Sequence, residues 1–384
     1  MKIVFISSIT PSGHYSQYIL EGLASQKNTQ IILYAGKHER LNAPHIKKVE
    51  NKYVWSKSTK YFVEIIRQTL KDKPDVAHLQ QEFNMYGGPF TSLIFPWLVL
   101  ALKLIGTTVV VTIHAAVEKK EITPGFILLF HKSPRHTKPF ILWMYFIYTY
   151  YLCGLFSHTL LVHTNRKRII LIRDYYASSR KLTVIPVVIP SKKISTRTTK
   201  PYLFYFGYIV RRKGLENVLD GFARFVKNKP KNKIKLIMAG GTIAGQEEAF
   251  EEICMHIKRR RLQKRVILKG FIEEDQQDKL YTEARAVIIP AIISMGSSGP
   301  LYHATSYGKC VFASNIGYLR EDIIDGETGV LIDNDEWEKV FEFTQDNIEH
   351  IRIIEKKAIK KAQTQSPRNI AKRYIALYQL LLKS

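Results

Sequence analysis

The stretch Phe-Tyr-Phe-Gly-Tyr-Ile-Val-Arg-Arg-Lys-Gly-Leu, residues 204–215, places a strand, a short loop and the start of a helix side by side. Its aromatic run ends at Gly207, three cations follow at 211–213, and a helical pattern begins at Leu215. A strand that turns directly into a helix is the repeating unit of a parallel sheet with helices on its faces. The stretch therefore predicts an α/β fold, provided that the same unit recurs along the chain.

Short apolar runs alternate with longer helical stretches on both sides of this segment. The first series of predicted strands covers residues 3–7, 31–34, 76–79, 109–113, 159–162 and 183–188. The second series covers residues 202–206, 234–239, 266–269, 286–289 and 310–313. Between the two series, residues 191–200 are polar and basic without an apolar period, which is typical of a linker.

The two series predict two doubly wound, Rossmann-like domains of parallel strands. We expect an N-terminal domain over residues 1–190, a linker over 191–200 and a C-terminal domain over 201–365. An amphipathic final helix, residues 366–384, is expected to pack back toward the first domain. Such sheets bind ligands at the carboxyl ends of their strands, so the two domains should face each other across a ligand-binding cleft.

The composition is that of a globular protein with an unusual charge. Of the 384 residues 46% are apolar, and the three separated cysteines form no disulfide or zinc motif, as is typical of a reducing cytoplasm. The formal net charge is +25, and residues 131–200 hold thirteen Lys or Arg and one acid, Asp174. Such a block indicates a polyanionic partner, either an anionic membrane leaflet or a nucleic acid; the alternative is a solvated surface.

One segment is apolar enough to suggest a membrane span. Residues 139–162 contain no Asp, Glu, Lys or Arg, and a segment of this length can cross a bilayer. Its tyrosines and His158 would be costly at the bilayer centre and Gly154 divides it, so we predict a helix followed by a strand. The aromatic part could still lie at a membrane interface. Residues 1–8 are predicted to be a buried strand and not a signal peptide.

Two strand ends of the first domain carry residues suited to ligand binding. The loop over residues 7–14 contains Gly13 but neither a dinucleotide fingerprint nor a P-loop, so Gly13 either admits a phosphate or sugar or makes a tight turn. His114 follows the predicted strand 109–113. It either hydrogen-bonds a ligand at the strand end or is satisfied by backbone in the core.

Two segments of the second domain suit one diphosphate. Arg211, Arg212 and Lys213 offer two guanidinium forks and a point charge at a strand–helix junction; the alternative is a basic surface loop. The second segment contains the small residues Ser297, Ser298 and Gly299 and leads into a helix. The free N–H groups at the start of a helix attract anions. The sequence has no carboxylate cluster of the kind that binds magnesium, so no metal is expected.

These segments resemble the retaining family-4 glycosyltransferases, the glycosyl transferases group 1 of the GT-B fold, across nearly the whole chain. The resemblance implies that Lys213 binds the donor diphosphate and that His114 contacts the donor sugar, and we take both as the expected catalytic residues. Gly13 and His14 match the acceptor-side loop. The nucleotide is expected at the matching positions Gly207, Gly240, Gly270, Phe271, Ile272 and His303.

Three positions depart from the family. The family usually has Arg after the glycine that matches Gly207, whereas this chain has Tyr208, and Arg211 or Arg212 could supply that charge. The two glutamates of the family's donor loop, eight positions apart, are replaced by Met295 and His303. A neutral His303 can accept hydrogen bonds from ribose hydroxyls more weakly than a carboxylate, but Met295 cannot replace a carboxylate.

The resemblance implies sugar transfer from a nucleotide-diphosphate donor to a hydroxyl with retention, without a cofactor. The basic segment 131–200 and the aromatic helix favour a lipid-linked or membrane-associated glycan acceptor. We therefore expect a cytoplasmic enzyme, peripheral on the inner face of the cell membrane, in surface polysaccharide or glycolipid synthesis. The alternative is a catalytically silent relative that binds sugar nucleotide or a partner. Nucleic acid is not expected, because no binding motif accompanies the charge.

Overall fold

The computed structural model contains two parallel β-sheets with helices on their faces. It describes residues 1–9, 14–40, 46–83, 85–129, 138–190, 192, 199–243, 246–293, 296 and 298–383. The first sheet consists of β1 (Lys2–Ile6), β2 (Gln30–Gly36), β3 (Val49–Trp55), β4 (Val76–Gln81), β5 (Thr108–Ile113), β6 (Thr159–Val162) and β7 (Leu182–Val184). The second consists of β8 (Tyr202–Phe206), β9 (Lys235–Ala239), β10 (Val266–Leu268), β11 (Ala286–Ile289), β12 (Val311–Ser314) and β13 (Val330–Ile332).

Helices connect most of these strands. Those before β8 in the chain are α1 (His14–Ala24), α2 (Tyr61–Asp72), α3 (Pro89–Leu104), α4 (Pro124–Leu128), α5 (Pro139–Phe156) and α6 (Asn165–Tyr175). Those after β8 are α7 (Leu215–Asn228), α8 (Glu248–Arg259), α9 (Glu274–Glu283), α10 (Gly299–Ser306), α11 (Leu319–Asp322), α12 (Trp337–Asp346), α13 (Ile348–Thr364) and α14 (Pro367–Leu381).

Both sheets are doubly wound, as predicted. The strand order is β3-β2-β1-β4-β5-β6-β7 in the first sheet and β10-β9-β8-β11-β12-β13 in the second. Every paired neighbour is parallel. The winding therefore reverses between β1 and β4 and between β8 and β11. At such a switch point the loops after two neighbouring strands diverge, which leaves room for a ligand at the carboxyl edge.

The central strands of the second sheet are buried on both faces, which explains their continuous apolar sequences. In β8, Leu203 and Tyr205 pack into the cluster that contains Trp337 of α12. Phe204, which points to the opposite face, packs into a second cluster that contains Tyr281 of α9. Because both faces of a parallel sheet are covered by helices, the apolar and polar alternation of a half-exposed strand is absent here.

The chain divides into two compact units. Unit 1 comprises Met1–Ile122, Lys138–Val188 and Gln365–Ser384, and unit 2 comprises Thr123–Thr137 and Ile189–Thr364. These boundaries differ from the expected domain 1–190, since residues 123–137 and 189–190 group with unit 2. The segment 123–137 contains α4, which is too short for its sequence pattern to indicate the unit that it packs with.

The final helix α14 covers one face of unit 1. It packs against α1 and contributes Tyr374 and Tyr378, both fully buried, to the core of the unit. The Tyr374 hydroxyl lies 2.9 Å from the hydroxyl of Tyr15. The Tyr378 hydroxyl lies 2.6 Å from Nδ1 of His78 on β4. Unit 1 is therefore completed by a segment that follows all of unit 2 in the chain.

The apolar segment 139–162 forms a helix and a strand, but it does not divide at Gly154. Helix α5 continues through Gly154 to Phe156, and Gly154 is buried beside the side chain of Leu160. Among the described residues α5 is the one helix long and apolar enough to cross a membrane, and 28% of it is buried. Its buried residues include Phe146 and Tyr150, and much of its remaining surface consists of exposed apolar side chains.

Candidate functional site

The carboxyl edge of the second sheet brings two glycines into contact at the ends of β8 and β9. Gly207 donates its N–H to the carbonyl of Ala239 at 3.0 Å. Gly240 has a φ of +137°, and a Cβ there would lie 1.9 Å from the carbonyl oxygen of Gly207. Only glycine fits this approach. The two strand ends therefore present bare backbone, which a ligand can contact closely.

The cationic loop follows β8 as a short 3-10 turn over Arg211–Lys213. Gly214, in the left-handed conformation with φ +59°, ends the turn and begins α7. The carbonyl of Arg212 accepts a 2.9 Å hydrogen bond from the N–H of Ile292, which lies beyond β11. The loop is thus held at the switch point between β8 and β11.

The three cations of this loop differ in their surroundings. Arg211 donates from Nε to the Glu252 carboxylate at 3.0 Å and forms a second hydrogen bond through Nη2, so its charge is compensated by α8. Lys213 has no carboxylate partner among the described residues. Burial lowers its pKa to about 8, and the neighbouring charge of Arg212 lowers it further in the same direction. Arg211 is thus paired with α8 in this structure, and the diphosphate-binding roles of Arg211, Arg212 and Lys213 stay predictions.

The N-terminus of α10 lies beside this edge. The Ser298 hydroxyl caps the helix by accepting from the N–H of Leu301 at 3.4 Å, and Gly299 is the first helical residue. A Cβ placed at Gly207 would lie 3.7 Å from the ring of Pro300, so the helix begins next to the end of β8. Ser297 and Met295 lie outside the described residues. The helix start and the cationic loop together can bind an anion.

The residues expected at the nucleotide base are brought to the same edge by β9 and β10. The carbonyl of Gly270 accepts a 2.7 Å hydrogen bond from the N–H of Gly240. Phe271 is 79% exposed, whereas Ile272 packs into the core. The exposed ring and the free backbone beside it can contact a planar base.

His303 lies on α10, and its Nδ1 is 3.3 Å from the side-chain nitrogen of Gln277 on α9. Because an amide nitrogen donates, Nδ1 of His303 is the acceptor of this bond. The expectation that His303 binds the nucleotide stays a prediction.

In unit 1, His114 directly follows β5, as predicted. Its Nε2 lies 2.7 Å from Oε1 of Gln80 on the neighbouring strand β4. Burial lowers the pKa of His114 to about 3, and the charge of Lys167 lowers it in the same direction, so the ring is neutral at physiological pH. Gly13 lies outside the described residues, and His14 is described only as the first residue of α1.

Several polar residues that we did not predict surround His114. His163 follows β6, and its ring centroid lies 5.5 Å from that of His114. Lys167 on α6 is fully buried and donates to the carbonyl of His114 at 2.7 Å. The Tyr15 ring contacts both histidines, at 4.8 and 5.0 Å. The available signal was the position of these residues: Gln80 and His163 lie at or just beyond predicted strand ends, as His114 does.

Glu82 is a further residue that we did not predict, and it directly follows β4. Burial raises the pKa of its carboxyl group, and the charge of Lys167 opposes this effect. Unit 1 therefore places Glu82, neutral histidines and Lys167 at the carboxyl edge of its sheet. The described residues contain no group of three or more His, Cys, Asp or Glu arranged to hold a metal ion.

The described cations of segment 131–200 lie in both units. Arg166 and Arg173 pair with the buried Glu118 of unit 1. Lys192 and Lys200 belong to unit 2, where they pair with the carboxylates of Glu274, Asp278 and Glu283. The expected binding of segment 131–200 to an anionic membrane surface stays a prediction.

The two doubly wound sheets, each with candidate site residues at its carboxyl edge, identify the fold as GT-B, which consists of two Rossmann-like units. HepE of Anabaena, solved in complex with UDP and glucose, is 15% identical, with 99% of each chain covered and a TM-score of 0.73. Sucrose-phosphate synthase of Thermosynechococcus elongatus is 16% identical over 100% of this chain and 99% of that chain, with a TM-score of 0.76.

Residues 190–364, which contain the second sheet, match the model of the family Glycosyl transferases group 1. Over 131 residues the chain is 33% identical to the alpha-1,3/1,6-mannosyltransferase ALG2 of Dictyostelium discoideum. That alignment covers 32% of this chain and 31% of the mannosyltransferase. The chain is therefore matched to about a third of the length of this relative.

Proposed function

We propose that this protein is a glycosyltransferase that moves a sugar from a nucleotide-diphosphate donor to a hydroxyl acceptor, with retention at the anomeric carbon. The observation that carries the proposal is the anion site of unit 2, where Lys213 and Arg212 lie at the switch point close to the N-terminus of α10. The family match of residues 190–364 and the UDP bound to HepE support a nucleotide-sugar donor.

In the proposed mechanism the protein stabilises the charge that develops on the leaving nucleotide diphosphate. Lys213, Arg212 and the N–H groups at residues 297–299 bind the diphosphate, while the sugar acquires oxocarbenium character. The backbone at Gly270 and Ile272 holds the nucleotide base, and His114 holds the sugar. The β-phosphate takes the proton of the acceptor hydroxyl, so the reaction needs no metal or cofactor.

A membrane-associated acceptor is supported by an apolar surface on unit 1. We define the α3–α5 surface by its exposed side chains on α3 and α5, which are Phe90, Leu93, Trp97, Leu104, Phe140, Ile141, Met144, Tyr151 and Leu155. Their spacing places them on one stripe of each helix. The stripes meet where the indole N–H of Trp97 donates to the hydroxyl of Tyr148 at 2.8 Å. A continuous exposed apolar surface of this kind indicates an interaction site.

The charges around the α3–α5 surface favour an anionic bilayer as its partner. Neither helix contains Asp or Glu. Lys138 precedes α5, Lys103 lies in the last turn of α3, and Lys181 donates to the carbonyls at the end of α5. Apolar side chains flanked by lysines are typical of interfacial binding. We therefore place the enzyme on the inner face of the cell membrane, acting on a lipid-linked glycan in surface polysaccharide or glycolipid synthesis.

The donor site is tested by thermal shift with UDP-, GDP-, ADP- and CMP-sugars. We expect one nucleotide class to stabilise the wild type, and Lys213→Ala to weaken its binding about 10- to 100-fold, as for the loss of a charge-assisted hydrogen bond. Because the pKa of Lys213 is lowered to about 8, the affinity of the wild type should fall as the pH rises through 8, whereas Lys213→Arg should show no such fall.

Lys258→Ala, which removes an exposed lysine of α8, is the matched control and should bind like the wild type. Equal binding by Lys213→Ala and the wild type would contradict the donor site. Binding without any transfer or hydrolysis would favour the catalytically silent alternative, for which the specific observation is the replacement of the two family glutamates by Met295 and His303.

A further inference from the structure

At the carboxyl edge of the sheet in unit 1, Gln80, Gln81 and His163 each have a buried side-chain atom without a hydrogen-bond partner in the described residues, and the side chains of Gln80 and His163 contact His114. Gln80 is fully buried, and its side-chain nitrogen has no hydrogen-bond partner within the described residues. His163 is 5% exposed, and its Nε2 also has none. An unsatisfied buried polar group costs free energy, so the two beside His114 call for an explanation.

Hydrogen bonds elsewhere on these side chains determine what each free atom can do. Nδ1 of His163 lies 2.9 Å from the carbonyl of Ile185, and because a carbonyl only accepts, Nδ1 carries the ring proton. Nε2 of His163 is therefore a bare acceptor. Oε1 of Gln80 accepts from Nε2 of His114 at 2.7 Å, so the free nitrogen of Gln80 is a donor.

Contacts with Tyr15 and Lys167 hold the rings of His114 and His163 in place around these two atoms. Tyr15 contacts His114 and His163 edge-on, and Lys167 fixes the carbonyl of His114 from a fully buried position. Burial, aided by the charge of Lys167, lowers the pKa of both histidines, so His163 stays an acceptor at physiological pH. The unsatisfied donor and acceptor are thus preorganised by their surroundings.

One chemical group satisfies a fixed donor and a fixed acceptor together. A hydroxyl accepts from the amide of Gln80 and donates to the imidazole of His163, whereas a phosphate or carboxylate has no proton to donate. We propose that Gln80 and His163 bind one hydroxyl of a sugar substrate beside His114 and thereby determine which sugar is accepted. This inference rests on the proposed glycosyltransferase function. The hydroxyl can belong to the donor sugar or to the acceptor sugar.

The test compares His163→Phe and Gln80→Leu with the wild type, using the nucleotide sugar that stabilises the wild type and its free nucleotide diphosphate as probes. If the hydroxyl lies on the donor, both variants should bind the nucleotide sugar about 10-fold more weakly and the free nucleotide unchanged. If it lies on the acceptor, donor affinity should be unchanged while the KM for octyl glycosides rises about 10-fold. His158→Phe, which removes a histidine at the opposite end of β6, is the control and should match the wild type.

A second arm needs no variant and therefore remains informative if a substitution impairs folding. The wild type is measured with a set of monodeoxy analogues of the same donor and of the octyl glycosides. The wild type should bind the analogue that lacks the recognised hydroxyl about 10-fold more weakly than the parent compound. The His163→Phe variant should bind this analogue and its parent equally. Unchanged affinities and KM values in both arms would mean that the two atoms hold only a buried water, which overturns the inference. A wild type that binds no nucleotide sugar would instead contradict the proposed function itself.

Discussion

Arg211, Arg212 and Lys213 are consecutive cations of one loop, yet their tertiary surroundings give them different roles. The fork of Arg211 is occupied by Glu252, 41 residues further along the chain. Lys213 is desolvated without a carboxylate partner among the described residues, which lowers its pKa to about 8. Sequence alone indicates that a diphosphate suits this loop. Only the packing of α8 shows that Arg211 is paired with a carboxylate.

Substitution of Gly240 tests the close approach between the ends of β8 and β9. Gly240→Ala should destabilise the protein by about 3 kcal/mol or more, because its Cβ would lie 1.9 Å from the carbonyl oxygen of Gly207. Gly241→Ala is the matched control, since no atom lies within 4 Å of a Cβ there. Urea unfolding measures both. A Gly240→Ala variant as stable as Gly241→Ala would show that the two strand ends are further apart than described.

The candidate site was predictable residue by residue but not as a group. His114 and Lys213 were found because each ends a strand–loop unit with a chemistry suited to a ligand. Gln80 and His163 are 83 residues apart in the chain. They come together because β4, β5 and β6 are neighbours in the sheet, and strand order is not encoded in any local pattern. Their unpaired atoms depend on contacts that no sequence pattern specifies.

At the scale of elements, the central strands were predicted more closely than the edge strands. The predicted strands 159–162, 202–206 and 286–289 coincide with β6, β8 and β11, because a strand covered on both faces has an unbroken apolar sequence. The edge strand β3 was missed, since its sequence Val-Glu-Asn-Lys-Tyr-Val-Trp is polar over much of its length. The edge strand β13, which has three residues, was missed as well, whereas the equally short edge strand β10 was predicted. The predicted strand 183–188 is limited to Leu182–Val184.

Charged substitutions on the α3–α5 surface test whether the protein docks on a membrane through these two helices. Leu104→Asp and Phe140→Asp should each reduce flotation of the protein with phosphatidylglycerol-containing vesicles severalfold, since each places a charge on a surface proposed to enter the bilayer interface. These side chains are 76% and 64% exposed, so the fold should tolerate both changes. The control is Met255→Asp, which changes a 63% exposed side chain on α8 of unit 2. Flotation equal to that of the wild type in both variants would contradict membrane docking through α3 and α5.

At the scale of the whole molecule, buried neutral histidines predict sensitivity to acid. Burial lowers the pKa of His78 and His114 to about 3 and that of His163 well below its usual value. Because the unfolded chain binds these protons near pH 6.5, the free energy of unfolding should decrease as the pH falls below 6.5. The loss should be about 2 kcal/mol per histidine by pH 5.

Urea unfolding between pH 7.5 and 5 measures this loss. His163→Gln should reduce the pH dependence by about one histidine's share. His350→Gln, which changes an exposed histidine of α13, should leave the pH dependence unchanged. A free energy of unfolding that does not change over this range would mean that the three rings are not desolvated as described.

The position of α14 has a consequence for biosynthesis. A ribosome makes residues 189–364 before Tyr374 and Tyr378, so unit 1 lacks the helix that covers its core until the last residues have left the ribosome. Until then, His78 has no Tyr378 to pair with, and the apolar side chains beneath α14 face water. The nascent protein therefore passes through a stage in which its first-made unit is the last to be completed, and during that stage it is a natural client for chaperones.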